Sequence, residues 1–99
     1  MYTSLENPPQ IIPDYTTGIS KVFGTYTAEY SGVLIGNVQR NAQLNNGDLA
    51  IKINDNQIVF SSASYARIPI FLPIEKGDQY IIKDGGNISA YSVIFYKFK

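Results

Sequence analysis

The closing segment Ser89-Ala90-Tyr91-Ser92-Val93-Ile94-Phe95-Tyr96-Lys97-Phe98 constrains the fold of this chain more than any other stretch. In an extended strand, successive side chains point to opposite faces. Tyr91, Val93 and Phe95 therefore face one way, and Ile94, Tyr96 and Phe98 the other. A strand covered on one side alternates apolar with polar residues; one that is apolar on both faces needs cover on both. A chain of 99 residues supports one domain and a modest core. A second copy of the protein is the expected source of the second cover, which makes all six of these residues candidates for an oligomer interface.

Upstream, short apolar segments alternate with turn chemistry, and no helical period develops. Residues 1–13 read as an extended N-terminal arm, because Pro8, Pro9 and Pro13 remove backbone donors and block helix. The arm is expected either to trail or to dock on a neighbouring subunit. Residues 14–99 read as the folded domain. Ile19 to Phe23 and Thr25 to Thr27 form the first strands, broken at Gly24. Gly32 to Gln39 is a longer strand in which Gly36 marks a bulge or a close approach. Asn41 to Asp48 is a polar loop, and Leu49 to Ile53 is an alternating strand turning through Asn54-Asp55-Asn56 into Gln57 to Phe60. Ser61 to Tyr65 is a loop of mostly small residues. Ile68 to Leu72 carries Pro69 and precedes Pro73, so it belongs at a sheet edge or is interrupted. Glu75 to Asp78 is a turn, Gln79 to Lys83 a strand, and Asp84-Gly85-Gly86-Asn87 the last turn. About eight short strands at this spacing predict an all-β antiparallel sandwich of the jelly-roll kind.

Composition narrows the chemistry. Eight basic and eight acidic residues cancel. With no basic stripe, nucleic acid and membrane insertion are poor expectations. Cysteine and histidine are both absent. Their absence removes disulfides, thiolate nucleophiles, imidazole-ligated metal and the Ser-His-Asp triad. The chain is expected to be non-enzymatic, with no cofactor and no metal. Neither a signal-like N-terminal segment nor an apolar run of bilayer length is visible, so assembly in a cytoplasm is expected.

Glu29 with Asp14, and Asp78 with Asp84, could form carboxyl pairs for acid–base work, but carboxylates beside Gly and Asn are ordinary turn chemistry. The same reading covers Lys76-Gly77-Asp78, which resembles an integrin-type tripeptide. It also covers the oxygen donors Asp48 and Asn54-Asp55-Asn56, which lack a calcium-loop pattern. The eight tyrosines are more informative, since a stackable ring with a polar tip suits both sugar faces and protein interfaces. Tyr30 and Tyr65 fall in loops and, with Arg67, Asn45 and Asn46, are the candidate ligand-binding residues.

The order of motifs resembles a known family. Pro13-Asp14-Tyr15-Thr16-Thr17-Gly18, followed by Tyr26-Thr27-Ala28-Glu29-Tyr30-Ser31-Gly32, resembles the opening of knob domains in bacteriophage tail fibres and related virion proteins. The remainder, through Ile68-Pro69-Ile70-Phe71-Leu72-Pro73-Ile74-Glu75-Lys76-Gly77-Asp78 to the aromatic closing strand, is similar to the C1q/TNF-like jelly roll. The resemblance spans roughly Ile11 to Lys99. It implies a homotrimer whose aromatic-rich strands pack about a threefold axis, residing in a virion. It further implies that the trimer contacts other virion proteins and a host-surface glycan or protein. Fibre knobs follow a long shaft, whereas here only a short arm precedes the domain. An excised knob and a stand-alone capsid or tail decoration protein, anchored through that arm, both remain open at this point.

Overall fold

The computed structural model describes residues 11–40, 47–62, 67–86 and 88–99. Of the expected loops, residues 41–46, with Asn45 and Asn46, and residues 63–66, with Tyr65, lie outside those residues, as do Asn87 and the arm up to Gln10. Among the described residues there are eight strands: β1 (Ile19–Ser20), β2 (Gly24–Thr27), β3 (Gly32–Arg40), β4 (Gly47–Ile53), β5 (Asn56–Ser62), β6 (Ile68–Ile74), β7 (Gln79–Gly86) and β8 (Ile88–Lys97). The one helical feature among the described residues is a 3-10 turn at Tyr15–Thr17. Asp14 starts it, its carboxylate accepting from the Thr16 backbone N–H and hydroxyl.

The strands form two four-stranded antiparallel sheets, ordered β1-β8-β3-β6 and β2-β7-β4-β5. First pairs with last and each inner pair nests within it: β1 with β8, β2 with β7, β3 with β6, β4 with β5. That nesting is the jelly-roll arrangement. Only the β4–β5 hairpin stays within one sheet; every other connection crosses the sandwich. The expected hairpin turn is there, with Ile53 opposite Asn56 and Asn54 at φ 52°. Asn tolerates that left-handed backbone, and its side chain ties the turn to Asp78 and to the Gln79 N–H.

The core lies between the sheets. Leu34 and Val38 of β3, Ile70 and Ile74 of β6, and Val93 and Phe95 of β8 meet Leu49 and Ile51 of β4 and Tyr80 and Ile82 of β7. Each set recurs at every second or fourth residue, the strand period. β6 is an edge strand among the described residues, as its prolines require: β3 pairs with it on one side, and a missing donor on the other side needs no partner.

Two local expectations are corrected. The strand beginning at Ile19 stops at Ser20, because Lys21 to Phe23 carry the chain from the first sheet to the second. The residues Asp84-Gly85-Gly86 do not form a turn: β7 continues through them, and Gly85 is the extra residue opposite Asp48 and Leu49. Asp84 accepts from the Gly86 N–H across this irregularity, and Gly86 takes φ 113°, so turn-favouring residues serve a bulge instead. At the other end, Ile12 accepts from the Lys99 N–H and Pro13 bridges Phe98, which ties the last residues of the expected arm to the domain.

Candidate functional site

The two sheets end side by side at β1 and β2, and there the sandwich opens into a cleft. Its volume is about 400 Å³, within the range of roughly 300–1,000 Å³ typical of small-ligand sites. The floor is a run of three rings. Tyr26 stacks on Tyr80 at 5.2 Å between centroids, and Tyr80 stacks on Phe95 at 6.4 Å. All three come from core-facing strand positions where the hydrophobic interior reaches the edge. The Tyr26 hydroxyl donates to the Val22 carbonyl at 2.7 Å, which fixes the outermost ring.

Two lysines form the walls. Lys21 Nζ sits 4.7 Å from the centre of the Tyr26 ring, and Lys97 Nζ sits 4.5 Å from that of Tyr30. Each is a cation–π contact, worth about 0.5–1 kcal/mol where water has access. Backbone pairing sets both positions. Lys21 follows β1 and donates its N–H to Val93, while the Lys97 N–H donates to the Thr17 hydroxyl, which itself donates to the Asp14 carbonyl. Neither ammonium has a carboxylate at ion-pair distance among the described residues. Thr27, Ile19 and Glu29 complete the rim.

The Tyr80 hydroxyl is the odd member. The residue is 2% exposed and lines the cleft, yet its hydroxyl has no hydrogen-bond partner among the described residues. Burial, with the neighbouring Tyr26, pushes its pKa up to about 12. The phenol is neutral in the folded state well beyond physiological pH. Stability linked to that shift is present below the ordinary phenol value of 10.0 and is lost as pH rises toward 12. Tyr80→Phe is expected to leave the free energy of unfolding within about 0.5 kcal/mol of the parent, because a hydroxyl without a partner contributes no bond to lose. A loss above about 1.5 kcal/mol in chemical denaturation would show that the hydroxyl is bonded after all.

Of the candidate ligand residues, the structure brings Tyr30 alone to the cleft. Arg67 lies elsewhere, its guanidinium donating to the Asn37 side chain at 2.7 Å, and Tyr65, Asn45 and Asn46 lie outside the described residues. The acidic residues flagged in the sequence go to separate local partners. Asp14 caps the 3-10 turn, and the Thr16 hydroxyl and N–H hold its carboxyl below the usual carboxylate value. Asp48 accepts from the Ser61 hydroxyl. Asp78 accepts from the Glu75 N–H and from Asn54, so the carboxylate of Lys76-Gly77-Asp78 is engaged within the domain. Lys21, Tyr26, Tyr80 and Lys97 are not among the ligand residues expected from the sequence. A signal was present: Lys97 shares the parity of Tyr91, Val93 and Phe95, and a lysine at a core-facing position is anomalous.

The six residues proposed for a subunit contact divide between two faces. Val93 and Phe95 belong to the core and Tyr91 packs against it. Ile94 and Tyr96 face away from the core, and Phe98 bridges Pro13. Across that outer face Ile94 aligns with Ile35 of β3 and Phe71 of β6, and Tyr96 with Val33 and Pro73. Tyr15 covers part of this row, its ring edge-on to Tyr96 at 5.1 Å.

The groups around the cleft are ring faces, hydroxyls, two ammonium groups and one carboxylate, a set suited to holding a ligand. No family model, no curated protein and no solved structure matches this chain.

Proposed function

We propose that the chain is a non-enzymatic bacteriophage virion protein, a homotrimeric knob that attaches the particle to a host-surface glycan or protein. The observation that carries this reading is the contrast between the two outer faces of the sandwich. The outer face of β2-β7-β4-β5 is mixed but more polar: Thr25, Thr27, Lys83, Lys52, Gln57 and Ser61 surround Ile81, Ala50 and Val59. The outer face of β1-β8-β3-β6 carries Ile94, Ile35 and Phe71 in one row and Tyr96, Val33 and Pro73 in the next; Val33 is buried beneath its neighbours, Ile35, Ile94 and Tyr96 are half-buried, and Phe71 is 63% exposed. An apolar sheet face of that kind is the usual mark of a contact surface. A threefold assembly on that face would leave the cleft at the β1–β2 edge repeated three times, which raises avidity without tight individual sites.

Two measurements test the reading together. Light scattering on the purified protein at micromolar concentration should report three chains per particle. The fluorescently labelled protein should label some members of a panel of bacterial strains. A monomer that labels no strain would overturn the proposal. Removal of residues 1–10 should leave both properties intact; loss of particle incorporation with cell labelling absent throughout would instead indicate the decoration protein.

A further inference from the structure

Resting on that reading of the protein as an attachment module, we propose that the β1–β2 edge cleft binds an acidic saccharide unit, a pyranose ring bearing a carboxylate. Three observations converge on this chemistry. The cleft is lined by the rings of Tyr26, Tyr80, Phe95 and Tyr30, of which Tyr26 and Tyr30 at its edge are the accessible ones, and a pyranose presents apolar C–H groups of matching polarity. Lys21 and Lys97 place two positive charges on the walls, each over a tyrosine face and neither in an ion pair with a carboxylate of the described residues, Asp14 attracting Lys97 from beyond that distance. Glu29 is the one acidic side chain of the lining, so the cleft carries net positive charge in a chain whose total is zero. The third observation is the Tyr80 hydroxyl, in a residue 2% exposed that lines the cleft, without a hydrogen-bond partner among the described residues. A buried donor of this kind is satisfied when a ligand oxygen reaches it.

The arrangement favours a sugar over other anions. A fatty-acid site calls for an apolar tunnel, whereas this cleft has a rim of hydroxyl and carboxylate groups able to bond several ring hydroxyls. Inorganic phosphate would use the lysines and leave the ring surface unoccupied. A carboxylated pyranose uses both.

The test is titration of the intact protein, by calorimetry and saturation-transfer NMR, with methyl glucuronide, a methyl glycoside of N-acetylneuraminate, methyl glucoside and methyl galactoside. At least one acidic glycoside should bind with a dissociation constant near ~1 mM, a single-site affinity that avidity makes useful. The neutral glycosides should bind at least about 10-fold more weakly. Lys21→Gln and Lys97→Gln should each weaken the acidic ligand by about 5- to 10-fold, with Lys97→Arg retaining most of the affinity. Tyr80→Phe should weaken it by about 3-fold or more with the fold unchanged, which separates recognition from stability. Equal binding of neutral and acidic glycosides, unaffected by the lysine variants, would overturn the acidic assignment while leaving glycan attachment standing. Absence of binding by all four, in a protein that still labels cells, would overturn the cleft proposal and direct attachment to a protein receptor. Acidic-sugar binding by a protein that labels no strain would support the cleft assignment and count against the attachment reading alone.

Discussion

Gly36→Ala is expected to unfold this domain or remove most of its stability. Gly36 lies in the middle of β3, opposite Ile70 of β6 on one side and Val93 of β8 on the other. A Cβ at this position would be driven into the Ser92 carbonyl and against Val93 Cα, which are backbone atoms of the paired strand. A flexible side chain could rotate out of the way; a ladder strand cannot without giving up its hydrogen bonds. Overpacking in a core usually costs about 1–3 kcal/mol. Here β3 would have to part from β8, so a loss of about 4 kcal/mol or more is expected. A domain of this size has about 5–15 kcal/mol in total. Gly77→Ala supplies the comparison. Gly77 takes φ 92° in the Glu75–Asp78 turn, and a Cβ there meets nothing within 4 Å. Its cost is the left-handed backbone alone, about 1–2 kcal/mol. Urea denaturation of the two variants should rank them in that order by a wide margin. A Gly36→Ala protein within about 1 kcal/mol of the parent would mean that β3 and β8 do not approach as closely as described.

The legibility of Gly36 is instructive. A glycine inside an apolar strand pattern leaves two readings, bulge or close approach, and choosing between them needs the identity of the partner strand. The register across Gly36 is continuous, so it is a close approach. The same limit recurs through the molecule. The hairpin at Asn54-Asp55, the edge position of β6 and the alternating core faces are local properties, written in Asn-Asp turn chemistry, two prolines and a period of two. The pairing of β1 with β8 and of β2 with β7 joins the two ends of the chain, and no local pattern specifies it. The cleft depends on those pairings. Lys21 and Tyr26 come from one end of the sequence and Tyr80, Phe95 and Lys97 from the other. Tyr30 could be flagged because it is an aromatic residue in a loop. Tyr26, Tyr80, Phe95 and Lys97 sit in strands and Lys21 directly after one, where an aromatic reads as core and a lysine as surface until the edge is located.

In an assembly of the kind proposed above, Phe71→Asp is expected to abolish the subunit contact while leaving the folded chain nearly as stable as before. Phe71 is 63% exposed on edge strand β6, so within one chain the substitution removes little packing. Surface changes of this kind fall within about 0.5 kcal/mol. In an assembly built on the outer face of β1-β8-β3-β6, the same aspartate would be a buried charge without a partner. Such a charge costs about 3–5 kcal/mol, which weakens association by more than 100-fold per contact. Ile94→Asp, in the same row on β8, should behave alike, with a larger effect on the fold because Ile94 is more enclosed. Phe95→Asp cannot serve, since Phe95 is 7% exposed within the core and its loss would unfold the chain before assembly could be read. Val59→Asp is the matched control: Val59 is 49% exposed on the outer face of the opposite, more polar sheet. Light scattering should give a monomer for Phe71→Asp and the parental mass for Val59→Asp, with both proteins melting cooperatively. Equal masses for all three proteins would place any subunit contact somewhere other than this sheet face. Dissociation by Phe71→Asp alone would fix the face on which copies of the chain meet, and with it the side of the molecule from which the cleft remains open.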